Sequence, residues 1–286
     1  MSEALPRRLG VVGLGLMGAS LARALKAADP SVRILAVEPQ EAVRAAAVKD
    51  GVCEEAFQEV GPFLKSCEVV VLCTPIAALE RLLAPVASLL EEGALLTDVG
   101  GAKERVLARA AQEVPPRVAF VGAHPMFGGH GGYAKARAEL WRGGTVAICT
   151  DGPSWAVERV AALHTALGAR VVRCVAQEHD AAVAMVSHLP YLLASALSAA
   201  AREAGPLAAL LAGPGLRDMT RLAQFPFDIQ GEVARRNAHL PEAAERLASH
   251  LARLLAAVAS SPEAARGALE AAREAREALF SPGGPP

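Results

Sequence analysis

The chain contains no CxxC pair, although it has five cysteines: Cys53, Cys67, Cys73, Cys149 and Cys174. An odd count without metal-ligand spacing excludes a disulfide framework and a structural zinc site, and it suits thiols kept reduced in a cytoplasm. Cys73 and Cys149 sit in apolar, strand-like runs and read as small core hydrophobes. The seven histidines are scattered, with no HExxH or comparable cluster, so metal catalysis has no support. Lysine is scarce: five of the 29 basic residues are Lys and the rest Arg, a bias that suits an Ala- and Arg-rich genome more than a function. Net charge is −1 with no block of either sign, which leaves no electrostatic footprint for nucleic acid or an anionic membrane. The start, MSEALPRR, has no apolar core of the kind a signal peptide needs. One long apolar run exists, Ala181 to Ala201. It is rich in Ala and Ser and interrupted by His188 and Pro190, so it reads as a buried helix and not a membrane span.

What is present begins at Arg8. Leu9 to Val12 is a short apolar run that reads as a buried parallel strand. It leads into Gly13-Leu14-Gly15-Leu16-Met17-Gly18, the spacing GxGxxG, and then into a helix over Ala19 to Ala27. Gly13 permits the tight turn, Gly15 lets a pyrophosphate approach the backbone, and Gly18 lets helix pack on strand. Leu16 and Met17 stand at the helix start, where free N–H groups and a partial positive charge favour phosphates. A lone GxGxxG is weak; the flanking strand and helix supply the context of a dinucleotide site. A second strand, Ile34 to Val37, ends at Glu38, 25 residues after Gly13. That is near the distance at which a carboxylate meets the adenosine ribose. Pro39 and Gln40 follow, with no adjacent Arg, so an acid that repels a 2′-phosphate favours NAD over NADP. A solvated acid at a strand end is the competing reading.

At 286 residues the chain suggests two domains, at roughly 150 residues each. Such a length buries about three quarters of the unfolded surface, so no staples are needed. Strands are expected at Glu68 to Thr74, Ala94 to Val99, Val118 to Gly122, Thr145 to Cys149 and Arg170 to Val175. Helices are expected between them at Ala77 to Leu90, Lys103 to Glu113 and Ser154 to Leu167. The alternation predicts an α/β fold with a Rossmann-type doubly wound parallel sheet. Ligands in such sheets bind beyond the carboxyl ends of the strands. Glu38, Thr74-Pro75, Gly100-Gly101 and His124 all fall there and are expected to share one crevice. After Val175 every segment is helix-like: Gln177 to Glu203, Leu216 to Gln224, Phe227 to His239, Pro241 to Ala259 and Pro262 to Leu279. The expected organisation is therefore residues 1–175 as a nucleotide-binding domain and residues 176–286 as a separate helical domain for substrate and dimerisation. Its Ala/Leu-rich helices exceed the packing surface of one chain and suggest a homodimer. Ser281 to Pro286 reads as a disordered tail.

His124-Pro125-Met126-Phe127-Gly128 reads as the loop after a strand, and Pro125 holds His124 extended. A histidine at the mouth of a nucleotide crevice is a candidate general base. On residue type alone a turn histidine without a role fits equally well. The run Gly122-Ala123-His124-Pro125-Met126-Phe127-Gly128 resembles the prephenate/arogenate dehydrogenase family. So do Ser187-His188-Leu189-Pro190 and Gly215 to Ala223 (GLRDMTRLA), and Asn237 matches a family asparagine. The blocks stand in family order over about residues 8 to 240. The resemblance implies oxidative decarboxylation of a cyclohexadienyl pyruvate with NAD: prephenate giving 4-hydroxyphenylpyruvate in tyrosine biosynthesis, with no nucleic-acid or membrane partner. It implies that His124 binds and deprotonates the ring C4 hydroxyl, that His188 belongs to the substrate site, and that Arg221 binds a carboxylate. Arg217 lies four residues before Arg221. Two like charges so placed destabilise a helix by about 0.2–0.5 kcal/mol, which a dianionic ligand would offset. Asp218 could instead neutralise a solvated face. Pro190 inside a helix removes one hydrogen bond and predicts a kink beside His188.

Three positions depart from the family pattern. Gly101 replaces a usual serine, His130 stands where an acid is common, and Gln230 replaces a tryptophan. All three are expected around the substrate, so they bear on substrate choice: arogenate or an amino-substituted prephenate remains open. A non-catalytic NAD-binding regulator is the alternative of another class. The motif GLGLMG also resembles 3-hydroxyacid dehydrogenases, but their catalytic lysine has no counterpart, because no Lys follows Lys135.

Overall fold

The structure is a computed structural model that describes residues 5–129 and 131–281. His130 and residues 282–286 of the expected tail lie outside the described residues. The chain divides into two units, Met1–Ala238 and His239–Pro286.

In the first unit, β1 (Arg8–Val12), β2 (Arg33–Val37), β3 (Glu55–Phe57), β4 (Val69–Leu72), β5 (Leu95–Asp98) and β6 (Ala119–Val121) form one sheet, ordered β3-β2-β1-β4-β5-β6. Every pairing is parallel. Strands such as Val69–Leu72 are apolar on both faces because helices cover both. Those helices are α1 (Leu16–Ala28), α2 (Glu41–Lys49), α3 (Ile76–Leu89) and α4 (Glu104–Glu113). The order reverses between β1 and β4, which is where a doubly wound sheet opens its crevice. The three-residue β3 is too short to stand out in the sequence and forms by pairing with β2, and α2 buries only Ala47.

The three later strands do not extend this sheet. The expected strand Val118 to Gly122 ends at Val121, and the backbone re-forms as β7 (Ala123–Pro125) in a second sheet. There β7 runs antiparallel to β8 (Thr145–Cys149), which runs parallel to β9 (Arg170–Cys174). Strand-like composition cannot say which sheet a strand joins. Helix α5 (Ser154–Ala166) connects β8 to β9.

Helix continues from Ala176 to Glu203. It comprises α6 (Ala176–Val183), a π turn over Ala184–His188, and α7 (Leu189–Glu203). The π turn answers the proline: the Leu189 N–H reaches back to the Ala184 carbonyl, and Pro190 follows within the first turn of α7. This helix is long and apolar enough to cross a membrane, but only 28% of its most apolar window is buried within the chain. It is more open than the sequence suggested, with Val186, Leu192 and Leu193 exposed. Helices α8 (Pro206–Leu210) and α9 (Pro214–Thr220) follow, then a 3-10 turn over Arg221–Gln224, a π turn over Phe227–Gly231 and α10 (Glu232–Ala234).

The second unit is a pair of helices, α11 (Leu240–Ser260) and α12 (Pro262–Phe280). Ser261 caps α12 by accepting the Ala264 N–H at 3.1 Å. Leu251, Leu255, Val258, Leu269 and Phe280 are exposed in this unit.

Candidate active site

The glycines of the first turn are set by contact. Gly13 has φ +99°, and a Cβ there would lie 2.8 Å from the Cys73 carbonyl oxygen, so the ends of β1 and β4 approach as backbone. A Cβ on Gly18 would fall 1.9 Å from the Gly13 carbonyl oxygen. Gly15 instead faces open space. A cavity of about 430 Å³ starts there and runs past Leu16, Met17, Thr74 and Pro75 to Gly100 and Gly101. The Thr74 hydroxyl is buried and has no hydrogen-bond partner among the described residues. An open glycine at a helix N-terminus and an unpartnered hydroxyl fit a dinucleotide.

Glu38 is buried at the end of β2. Its carboxylate accepts the Leu14 N–H at 3.1 Å and the Gln40 N–H at 3.0 Å, so it ties the glycine turn to β2. Arg44, one turn into α2, donates to the carbonyls of Glu38 at 2.8 Å and Pro39 at 2.7 Å. The sequence reading looked for an adjacent Arg and missed this one, which α2 folds back onto the strand end.

A second cavity of about 420 Å³ shares Met17, Val99, Gly101 and Val233 with the first. His124, His188, Arg221 and Gln230 line it. His124 is not in a loop, as its flanking residues suggested, but in β7. Its backbone registers with Ala147 of β8, and the Met126 N–H binds the Thr145 carbonyl at 2.8 Å. Phe127 then packs edge-on against buried Trp141, with ring centroids 5.1 Å apart. Arg217 is exposed and does not line this cavity. The expected common helix face is broken, because the α-helix stops at Thr220 and Arg221 opens a 3-10 turn.

Gly101 lies against the catalytic candidate. A Cβ there would sit 2.9 Å from Val233 Cγ1 and 3.5 Å from His124 Nε2. Val233 thus fills the space a side chain at 101 would need.

Beneath the cavity is a buried polar layer the sequence reading did not single out. Lys103, fully buried, donates to Asp98 at 2.5 Å and to the Ala123 carbonyl at 2.8 Å. Asp98 also accepts the Gly100 N–H at 2.7 Å and the Ala123 N–H at 3.2 Å. One ion pair therefore fixes both the Gly100-Gly101 turn and the residue before His124. Asp180 accepts the first N–H groups of α4, from Lys103 at 2.8 Å and Glu104 at 3.0 Å. His179 Nδ1 bonds Asp180 at 2.7 Å, and His124 Nδ1 bonds His179 Nε2 at 2.9 Å.

Asn237 sets the second histidine. Its Nδ2 donates to the Asp180 carbonyl at 2.7 Å, which fixes the amide orientation. The same nitrogen lies 3.0 Å from His188 Nδ1, which therefore accepts, and Nε2 carries the hydrogen. That Nε2 is buried and has no hydrogen-bond partner among the described residues. Burial lowers the His188 pKa to about 4, against the opposing charge of Asp180. Burial, with the positive charge of Lys103 nearby, holds His124 well below the usual histidine value. Burial alone would raise Asp180, but the His179 hydrogen bond and the two α4 amides outweigh it and lower its pKa. Near neutral pH the cavity therefore presents two uncharged imidazoles and the Arg221 cation.

Two family models match. One, described as prephenate dehydrogenase, nucleotide-binding domain, covers residues 21–173. The other, prephenate dehydrogenase, dimerization domain, covers residues 175–268. The chain belongs to the prephenate dehydrogenase family. Among relatives, a prephenate dehydrogenase of Bacillus subtilis is 33% identical over 74% of this chain and 59% of its own length. The chain thus spans about three fifths of that relative. A 4-amino-4-deoxyprephenate dehydrogenase of Streptomyces pristinaespiralis is 29% identical over 91% of this chain and 87% of its own. The crystal structure of Synechocystis arogenate dehydrogenase superposes with a TM-score of 0.78 at 28% identity, covering 94% of this chain and 99% of that one. The family's members thus include proteins named for all three substrates left open above.

Proposed function

We propose that this chain catalyses NAD-dependent oxidative decarboxylation of prephenate to 4-hydroxyphenylpyruvate. The observation that carries the reading is His124. It is uncharged, opens on the cavity that holds Arg221 and His188, and lies one glycine away from the dinucleotide cavity. Gly13, Gly15, Leu16, Met17, Gly18, Thr74 and Pro75 would hold the cofactor, and Glu38 would face its ribose and disfavour a 2′-phosphate. When bound, NAD supplies the hydride acceptor for ring C4.

The protein's part is proton transfer and placement. His124 Nε2 takes the C4 hydroxyl proton as the C4–H bond breaks, which gives a dienone. The ring carboxylate leaves as carbon dioxide and its bonding electrons complete the aromatic ring. The C4 oxygen becomes a phenolate, and His124 returns the proton to it. One prephenate and one NAD⁺ give one 4-hydroxyphenylpyruvate, one carbon dioxide and one NADH, with no net proton. Arg221 binds a carboxylate, and the Nε2–H of His188 donates a hydrogen bond to a substrate oxygen.

A second reading, 4-amino-4-deoxyprephenate as substrate, is favoured by the near-complete match to the Streptomyces relative and by Gly101, which leaves no hydroxyl beside His124. NADH formation from prephenate, arogenate and 4-amino-4-deoxyprephenate, each with NAD and NADP, tests all of this. The highest kcat/KM is expected for prephenate with NAD. Superior turnover of another substrate selects that reading, and no turnover of any would leave a non-catalytic NAD-binding protein.

We also propose that residues 1–175 bind the nucleotide and that residues 176–286 complete the substrate site and form a homodimer. The match to a dimerization domain and the exposed apolar residues of α7, α11 and α12 support this. Sedimentation equilibrium should give a mass near twice 29.5 kDa. Five unpaired cysteines suit a reducing cytoplasm.

A further inference from the structure

Behind His124 the site carries two hydrogen-bonded groups with no part in the reaction as written, His179 and Asp180. His179 is buried and does not line the substrate cavity, so it cannot touch substrate. We propose that His179, held by Asp180, is the positioning residue that fixes His124 in the tautomer protonated on Nδ1 and bare on Nε2. This rests on the reading of His124 as the base.

The direction of each bond follows from its fixed end. The Asp180 carboxylate takes two backbone N–H groups from the start of α4, so it is an anchored acceptor. His179 Nδ1, 2.7 Å away, must donate to it. Carrying its one hydrogen on Nδ1, the His179 imidazole has a bare Nε2. That nitrogen can only accept, and the atom facing it at 2.9 Å is His124 Nδ1. His124 therefore donates from Nδ1 and keeps its lone pair on Nε2. Nε2 is the atom 3.5 Å from where a Cβ on Gly101 would stand, on the cavity wall. No protein hydroxyl can stand at 101 to fix the ring from that side, because Val233 occupies the space. Were His179 cationic, its Nε2–H would point at His124 Nδ1, put the His124 hydrogen on Nε2, and abolish the base. In the serine-protease triad, losing the group that fixes the tautomer costs about 10⁴-fold in kcat, which bounds the effect here.

The test uses the full chain. In long-range proton–nitrogen NMR of ¹⁵N-labelled protein at neutral pH, His124 is assigned by its loss in His124→Asn. It should show a protonated Nδ1 and an unprotonated Nε2. His179→Leu should shift it towards protonated Nε2 and lower kcat at least tenfold, with KM and the NAD dissociation constant within twofold. His179→Gln, whose amide oxygen can still accept from Nδ1–H, should recover kcat to within about threefold of the unaltered protein. Protonated Nε2 in the unaltered protein overturns the proposal, as does a normal kcat in a folded His179→Leu. A Gln variant no better than Leu at equal melting temperature also overturns it. If His179→Leu does not fold, the tautomer of the unaltered protein and the Gln variant decide. If no substrate is turned over, the reading of the function fails, while the tautomer is still measured.

Discussion

At the scale of single residues, the roles proposed for His124 and Arg221 are separable. His124→Asn keeps a polar side chain but cannot act as a base near neutrality. Its kcat should fall by about 10²–10⁴-fold while NAD affinity is retained. Because burial and neighbouring charge hold the His124 pKa well below 6.5, the unaltered enzyme should keep a flat kcat/KM as pH drops from 8 through 6.5. The loss on acidification should come only at lower pH, where the imidazole charges; a fall centred at 6.5 or above would contradict this. Arg221 lines the cavity and Arg217 does not. A charge-assisted bond is worth about 1.5–3 kcal/mol, so Arg221→Ala should raise KM by roughly tenfold to a hundredfold. Arg217→Ala, on the exposed face, should stay within about 0.5 kcal/mol, or roughly twofold. Equal effects of the two in steady-state kinetics would return Arg221 to a solvated face.

At the scale of elements, the β5–α4 turn and α10 are matched to each other. Gly101 sits in the turn, Val233 in α10, and the 2.9 Å approach of a Cβ at 101 to Val233 Cγ1 leaves no room for serine. Gly101→Ser, the family's usual residue, should therefore move α10 or the turn. Overpacking of this kind typically costs about 1–3 kcal/mol. Combining it with Val233→Ala should recover more than half of the lost stability and activity, a non-additive result that urea unfolding and steady-state kinetics would measure. Additive losses would mean that the two side chains do not meet. The same elements show what was legible in the sequence. Strand, GxGxxG turn and helix were readable because the apolar run and the glycine spacing are signals within one short stretch of chain. The sheet that β7, β8 and β9 join was not, because apolar strands look alike whichever neighbour they pair with. His124 thus became a strand residue, its ring held by α6 from behind.

At the scale of the whole molecule, three histidines with lowered pKa values make acid sensitivity a property of the fold. His188 and His164 both have pKa values lowered to about 4 by burial, and His124 is lowered too. His164 accepts the Trp141 indole N–H at 2.9 Å. In the unfolded chain each returns to about 6.5. Below pH 6.5 the unfolded state binds protons that the folded state refuses, so stability must fall as pH drops from 6.5 towards 4. Each histidine contributes up to about 1.4 kcal/mol per pH unit in that window. Urea unfolding at pH 7, 6 and 5 should show the decline. His164→Gln, which keeps an acceptor for Trp141, should flatten it by about one proton; an unchanged slope would exclude His164 as a contributor.

The amino-acid sequence by itself determined the glycine turn, the αβ alternation and the helical second half, each a local pattern of period or glycine spacing; His124, His188 and Arg221 stood out through the family resemblance of their motifs. Only the tertiary structure decided what those residues can do. Lys103 and Asp180 looked like ordinary charges, and His179 like a helix residue, because nothing local marks a side chain for burial. Packing α6 against α4 gives Asp180 its two amide partners. Packing the Asn237 segment against α6 turns His188 into a donor. Placing β7 beside α6 brings His124 Nδ1 within 2.9 Å of His179 Nε2. Proton positions depend on partners that are 49 to 77 residues away in the chain, and only the folded backbone brings them within 3 Å.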